Sequence, residues 1–430
     1  MTGLLNYKAL PRRTYILLSL LVIGIFIFRV VQTWHYKNTY GSVDLRNRIV
    51  GSRIISHQKG VSPYFYKWEK TDGENYIDIY DTPDISVNRN TVTPFVLQLL
   101  QPVSNFKFQH IASGWYIAEV AALMLIVLLI ASILKEWQHR FYVLFSSLII
   151  IGCSQGWLLH NINGQVYIFY ALLLTILFYY FNNNRGLSDI LCGLILTIFI
   201  LMRPIAIVFL FPFLLKRKWK AIGFFFLFTT LYFIQQYINH ELWLWKDYAS
   251  AIKQWALEFF NQHQVNDYID IYKVKNIEGS SAVAPSPYQS LAEDSSLRGL
   301  VFRFLHIKLL EEWLVLITGL AYAVLLFIYR KKIKAFDAKS LFVFSFLLYF
   351  ITEICLPAVR NSYNYVQWVF PLAIIFTSIK ILPKIVWVTL FATIMALGFL
   401  KFLPFDLTIP ELIFAAISFY FINRTKTANA

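Results

Sequence analysis

Residues 185–220 are RGLSDILCGLILTIFILMRPIAIVFLFPFLLKRKWK. Two apolar runs, 187–202 and 205–215, meet at Arg203-Pro204, with Arg185 before the first and Lys216, Arg217, Lys218 and Lys220 after the second. Runs of this kind partition into hydrocarbon, and Lys and Arg near their ends collect on the cytoplasmic side. Both basic ends then lie on one side, which requires an even number of crossings between them. Proline lacks the backbone donor and its ring clashes with the preceding turn, so the helix breaks at Pro204. The stretch is expected to form two short helices meeting at Arg203 on the outer side. The second, about 11 residues, is too short for a full span and is expected to be tilted or re-entrant.

The rest of the chain repeats this pattern. Of 430 residues, 58% are apolar, 15% charged and 18% aromatic, with a mean hydropathy of +0.55. A soluble domain averages about 45–50% apolar and about 25% charged. That excludes a soluble enzyme, a disordered chain, collagen and a secreted disulfide scaffold. Long apolar runs place about twelve membrane helices, at 14–35, 111–134, 141–159, 165–181, 187–202, 205–215, 221–238, 313–329, 340–356, 366–379, 385–401 and 409–423. The fold class is an all-α multi-pass membrane protein forming one integral domain over 1–430. The first run is too long for a signal peptide and no small-residue cleavage site follows it, so it is expected to be an anchor. Cys153, Cys192 and Cys355 fall inside runs, so no disulfide or metal framework is expected.

A formal net charge of +15 would point to nucleic acid in a soluble chain. Its distribution says otherwise. The N-terminal tail and the joints at 135–140, 182–186, 216–220, 330–339, 380–384 and 424–430 hold 19 of the 39 Lys and Arg, with Glu136, Asp189 and Asp337 in or beside them. Two long loops on the opposite side, 36–110 and 240–312, hold 16 basic and 17 acidic residues. The excess is a positive-inside bias: both termini are expected in the cytoplasm, both long loops outside, and no nucleic acid is expected as a partner.

Ionisable groups in hydrocarbon are costly and mark functional places. Those noted in the runs are Arg29, Glu119 and Glu353, with Arg203 at a run's end, and each falls toward the outer end. Proton-coupled transporters carry such groups near the midplane. This pattern suits a polar cavity at the outer leaflet better than a conduit.

The first loop begins SVDLRNRIVGSRIISH at 42–57. Apolar residues alternate with Arg46, Arg48 and Arg53, which predicts an amphipathic helix lying at the interface. Asp44, in its first turn, is either an acid favoured by the helix dipole or a carboxylate held as a general base. The second loop carries Trp243, Trp245 and Trp255 in a segment at 241–260 suited to an interfacial helix. A Ser-, Pro- and Ala-rich stretch at 276–298 follows, either a flap or a plain linker. The pentapeptide YIDIY recurs at 76–80 and 268–272, by chance or as short strands pairing the two loops. Glu69, Asp72, Glu74, Asp78, Asp81 and Asp84 form an acidic stretch without metal-ligand spacing.

Further segments follow in order: Gly60, Ser62, Pro63 and Tyr64; TPFVLQLLQP at 93–102; NGQV at 163–166; Arg203-Pro204; and RNSYNYVQWVFP at 360–371. With an Asp soon after the first run, this ordered set resembles glycosyltransferase family 87 of the GT-C superfamily, which includes polyprenol-phosphate-mannose-dependent mannosyltransferases. The resemblance covers most of 14–240 and 340–380. Tyr167 stands where that family commonly has Asn, and 360–371 lacks its frequent His.

The resemblance implies a GT-C fold and inverting transfer of one sugar, such as mannose, from a polyprenyl-phosphate donor to a glycan or glycolipid acceptor. It places the protein in a bacterial plasma (inner) membrane, with the site on the outer, periplasmic side. Asp44 then takes the catalytic base's place. Arg203 and Arg360 are candidates for the donor phosphate, against alternatives in which Arg203 pairs with Glu119 or Glu353 and Arg360 is a solvated loop charge. His160, Asn161, Asn163 and Gln165, and Asn361, Tyr363 and Asn364, are weaker candidates for sugar hydroxyls. No metal or cofactor is expected. The alternatives from other classes are a lipid-linked glycan polymerase or ligase and a flippase or transporter.

Overall fold

The computed structural model describes residues 11–40, 42–57, 60–65, 90–183, 186–261, 296–307, 309–356, 360–377, 392–393 and 408–424. Among these, every regular element is helical. Helix α1 spans Arg12–Tyr40, α2 Val43–His57, α3 Pro94–Ser104 and α4 Phe108–Ser132. Helix α5, Trp137–Phe145, runs into a π-helical turn at Ser146–Ile151; α6 spans Gln155–Asn163 and α7 Tyr167–Phe181. Helix α8, Ser188–Met202, is followed by a 3-10 stretch at Pro204–Leu210, the short α9 at Phe211–Leu215, α10 at Trp219–Ile238 and α11 at Leu242–Asn261. The rest are α12 Leu297–Leu305, α13 Glu311–Tyr329, α14 Ala338–Cys355, a 3-10 strap at Ser362–Trp368, α15 Val369–Phe376 and α16 Thr408–Arg424.

Among the described residues the apolar runs and the helices coincide closely, but only some of the helices are long enough for a full span. Among the described residues α1, α4, α10, α13 and α14 are long and apolar enough to cross by themselves, and a sixth span forms if α5 and α6, bent by 66°, count as one. The bend has a local cause. A π-turn loosens the helix, and Ser154 then caps a new one, accepting the Trp157 amide at 3.0 Å. The runs at 165–181 and 187–215 appear as shorter apolar helices. Nearly all of 385–401 and of 276–298, both YIDIY copies and the acidic stretch at 69–84 lie outside the described residues.

The break at Arg203 is where the sequence puts it. Helix α8 stops at Met202, Arg203 is extended (φ −145°, ψ 93°), and Pro204 begins the 3-10 stretch. The chain folds back there, stacking Phe209 on Phe199 with ring centres 5.5 Å apart.

Hydrogen bonds tie several basic joints together at one end of the bundle. Lys218 Nζ donates to Phe181 O at 2.5 Å, Lys216 Nζ to Phe336 O at 2.7 Å, and Lys339 Nζ to Thr377 Oγ1 at 2.9 Å. At the N-terminal side, Arg12 and Arg140 both lie over Trp137. The first residues of α7, the last of α8 and α14, and the start of α2 therefore stand at the opposite end.

Helix α2 departs from expectation. Leu45 through Ile54 are all buried, so it does not lie on an interface with one face in water. Its arginines serve as internal donors. Arg53 Nε bonds Ser104 O at 2.7 Å and its Nη2 bonds Phe106 O at 3.0 Å, while Arg46 lies 4.2 Å over the Phe108 ring. Backbone carbonyls at the end of α3 take the place that water would have taken. In the second loop, α11 does form, and Trp245 Nε1 donates to Tyr232 OH at 3.3 Å.

Candidate active site

The turn between α6 and α7 organises the polar end. Gly164 caps α6 at φ +65°, and the Gln165 amide closes the turn on His160 O at 2.9 Å. A Cβ at Gly164 would meet Leu45 Cβ at 2.6 Å, so the left-handed backbone and the close approach of α2 both require glycine.

Helix α2 grips this turn with two side chains one turn apart. Arg48 donates through Nη1 to Gly164 O at 2.6 Å and through Nη2 to Gln165 Oε1 at 2.7 Å. Gln165 passes the arrangement on, its Nε2 donating to Asp44 Oδ2. The i, i+4 spacing of Asp44 and Arg48 puts both on one helix face. Asp44 keeps some accessible surface although it is set deep among its neighbours. Burial raises its carboxyl pKa above the ordinary carboxylate value, and the nearby Arg48 charge pulls the other way without cancelling the shift.

A second carboxylate, Glu353 near the end of α14, holds Arg203. Arg203 Nε and Nη2 donate to Glu353 Oε1 at 2.9 and 2.6 Å. Tyr349 OH donates to the same oxygen at 2.8 Å and Asn364 Nδ2 to Oε2 at 3.0 Å. Glu353 is 1% exposed and Arg203 22%, so the pair has a closed side and an open one.

Tyr167 joins these two groups. The Arg203 guanidinium carbon lies 5.7 Å from its ring centre, and its hydroxyl is within electrostatic reach of Arg203, Glu353, Arg48 and Asp44. Tyr363 packs on Tyr167 and is itself within reach of Asp44. Asp44 and Arg203, 159 positions apart in the chain, thus both lie near Tyr167.

The other sequence candidates divide. Arg360 is no solvated charge: it is 2% exposed and bidentate to Glu411, with Nη1 to Oε2 at 2.6 Å, and Trp368 Nε1 also donates to Glu411 at 3.1 Å. Its guanidinium is occupied by an ion pair, which leaves Arg203 as the more open arginine. His160 is turned into the core rather than toward a mouth. Its Nε2 accepts the Ile168 amide at 3.2 Å, its ring stacks on Trp157, and its Nδ1 lies 3.4 Å from Glu119 Oε1. Asn161 is buried too and donates to Glu119 Oε2 at 2.8 Å. Gln165 braces Asp44, Asn364 braces Glu353, and Asn361 Nδ2 donates to Tyr363 OH at 2.6 Å. Asn163 is partly exposed beside the turn.

Sequence reasoning missed Glu411 and the part played by Arg48. Glu411 was legible as an acid at the start of the run 409–423, and Arg48 as the partner one turn after Asp44. Among the described residues no three His, Cys, Asp or Glu side chains are grouped as metal ligands.

The family model described as Glycosyltransferase family 87 matches residues 91–357, more than half of the chain. That stretch carries Gln165, Tyr167, Arg203 and Glu353, while Asp44 and Tyr363 join the site by packing from outside it. No curated protein and no solved structure matches the chain.

Proposed function

Glycosyltransferase family 87 is the family to which this chain belongs, and from that premise we propose that it transfers one hexose, such as mannose, from a polyprenyl-phosphate donor to a hydroxyl of a glycan or glycolipid, with inversion. The observation that carries the proposal is a braced carboxylate, Asp44, and a partly exposed guanidinium, Arg203, both near Tyr167 at the polar end of the bundle.

The chemistry assigns a task to each. As the acceptor oxygen bonds to the anomeric carbon, Asp44 takes its proton. The bond from that carbon to the phosphate oxygen breaks on the opposite face, and the electron pair leaves with the polyprenyl phosphate. Charge grows on the phosphate in the transition state, where a fixed guanidinium stabilises it. Glu353 holds Arg203 through Nε and Nη2 and leaves Nη1 for the phosphate. Arg360, closed in its pair with Glu411, supports the strap that carries Tyr363 and Asn364.

Helix lengths favour a lipid-linked donor. At 15 residues each, α7 and α8 rise about 22 Å, less than the roughly 30 Å of hydrocarbon. With their inner ends at the cytoplasmic face, their outer ends stop short of the outer headgroups, at a depth that a donor carried on a lipid reaches from within the bilayer. The proposed setting is a bacterial plasma membrane holding about twelve membrane helices, some of them short or re-entrant, with the basic joints cytoplasmic and the polar end on the outer face.

The test is turnover by purified protein in lipid nanodiscs with two donors, a polyprenyl-phosphate hexose and a polyprenyl-diphosphate oligosaccharide. Transfer from the first and not the second is expected. Transfer from the diphosphate alone would make the protein a polymerase or ligase and overturn the proposal.

A further inference from the structure

Tyr167, Tyr248 and Tyr363 are partly exposed at the polar end, whereas Tyr64, Tyr170, Tyr349 and Tyr365 nearby are buried. The rings of Tyr167 and Tyr363 lie 5.5 Å apart at 31°. Tyr170 stands edge-on to Tyr167 at 5.6 Å and 87°, and His160 at 6.4 Å and 65°, so the Tyr167 ring is packed against the core. Tyr248, from α11, packs on Tyr64 at 5.7 Å and is within electrostatic reach of Arg203 and Tyr167.

Two hydroxyls here have unused capacity. Tyr363 OH accepts from Asn361 Nδ2 at 2.6 Å and keeps its own proton to donate. Tyr167 OH has no hydrogen-bond partner among the described residues. Structural tyrosines in this molecule behave differently: Tyr64 OH donates to Val92 O and Tyr365 OH to Ile150 O.

Inverting transfer requires the base and the departing phosphate on opposite faces of the anomeric carbon. If Asp44 and Arg203 fill those positions, the sugar ring lies between them, beside Tyr167 and its neighbour Tyr363. We propose that Tyr167 and Tyr363 form the donor-saccharide subsite, in which a hexopyranose packs against the exposed part of the tyrosine pair and takes hydrogen bonds from the two free hydroxyl protons. This rests on the proposed donor class. It adds that recognition of the sugar is separable from recognition of the phosphate, the first by the tyrosine pair and the second by Arg203.

The test reads binding, so it does not depend on turnover. Polyprenyl-phosphate hexose and sugar-free polyprenyl phosphate are titrated into the wild-type protein and into Tyr167→Ala, Tyr167→Phe, Tyr363→Phe and Arg203→Ala in nanodiscs. Losing an aromatic face and its hydroxyl is worth about tenfold in Kd. Tyr167→Ala should weaken the glycosylated lipid by about that factor, and Tyr167→Phe, which keeps the ring under Arg203, should weaken it less and leave the sugar-free lipid unchanged. Tyr363→Phe should weaken the glycosylated lipid only, and Arg203→Ala should weaken both lipids. Equal weakening of both lipids by Tyr167→Phe, or no preference of wild-type protein for the glycosylated lipid, would overturn the subsite. Failure of transfer with a retained sugar-dependent affinity would instead count against the proposed reaction.

Discussion

Arg203 gives two guanidinium nitrogens to one oxygen of Glu353, Oε1, and leaves Nη1 without a hydrogen-bond partner among the described residues. An arginine that served only to neutralise Glu353 would gain more from a fork-on-fork pair, as Arg360 achieves with Glu411. The one-sided grip fixes the guanidinium plane and keeps a donor for an anion. Removing a single fixed donor to developing charge costs about 10²–10³-fold in rate. Arg203→Ala is expected to lose transfer by that factor, and Arg203→Lys to recover part of it, because an ammonium keeps the charge without the planar fork. Wild-type rates in both would return Arg203 to a purely structural role.

Asp44→Asn preserves shape but cannot accept a proton. The expected loss is about 10²–10⁴-fold in transfer, with donor binding retained. If Asp44 served only the helix dipole, the change would cost about 0.3–1 kcal/mol of stability and little activity.

The pH profile offers an independent measurement. A general base works deprotonated, so the rate falls as pH drops through its pKa. Burial raises the Asp44 pKa, which moves that acid limb above the ordinary carboxylate range. Arg48 opposes the shift, so Arg48→Met should move the limb further up as well as lower the rate by loosening Gln165. A limb that stayed put in Arg48→Met would assign it to another group.

The Arg360–Glu411 pair should show the asymmetry of buried ion pairs. Glu411→Ala leaves an uncompensated guanidinium and is expected to cost about 3–5 kcal/mol, whereas the apolar double replacement Arg360→Met with Glu411→Leu should recover most of it. Thermal unfolding in detergent measures both. Equal losses in the single and double variants would mean that the pair itself carries net stability.

Sidedness is testable with two thiols. Lys107 is exposed between α3 and α4 at the polar end, and Lys334 is exposed in the basic joint. With the three native cysteines buried, Lys107→Cys should react with an impermeant maleimide on intact cells and Lys334→Cys only after permeabilisation. The opposite pattern would invert the proposed orientation.

Local properties of the chain carried the fold. Hydropathy integrated over a run, the bias of Lys and Arg, and the proline at 204 each depend on neighbouring residues, so the helices and the break at Arg203 were legible without tertiary information. An ordered set of short motifs gave the family for the same reason. The partners of the charges were not legible. Arg203 could pair with Glu119 or with Glu353 on sequence grounds, and packing decided for Glu353, 150 positions away. Helix α2 carries three arginines and looks interfacial, yet carbonyls from the end of α3 and the turn at Gly164 satisfy two of them inside the protein. Burial of a polar helix depends on which distant backbone groups arrive to accept its hydrogen bonds, and no window along the sequence contains them. The same holds for Asp44: its position in the first turn of α2 was visible in the chain, but the Gln165 brace, 121 positions on, exists only because the two segments pack together.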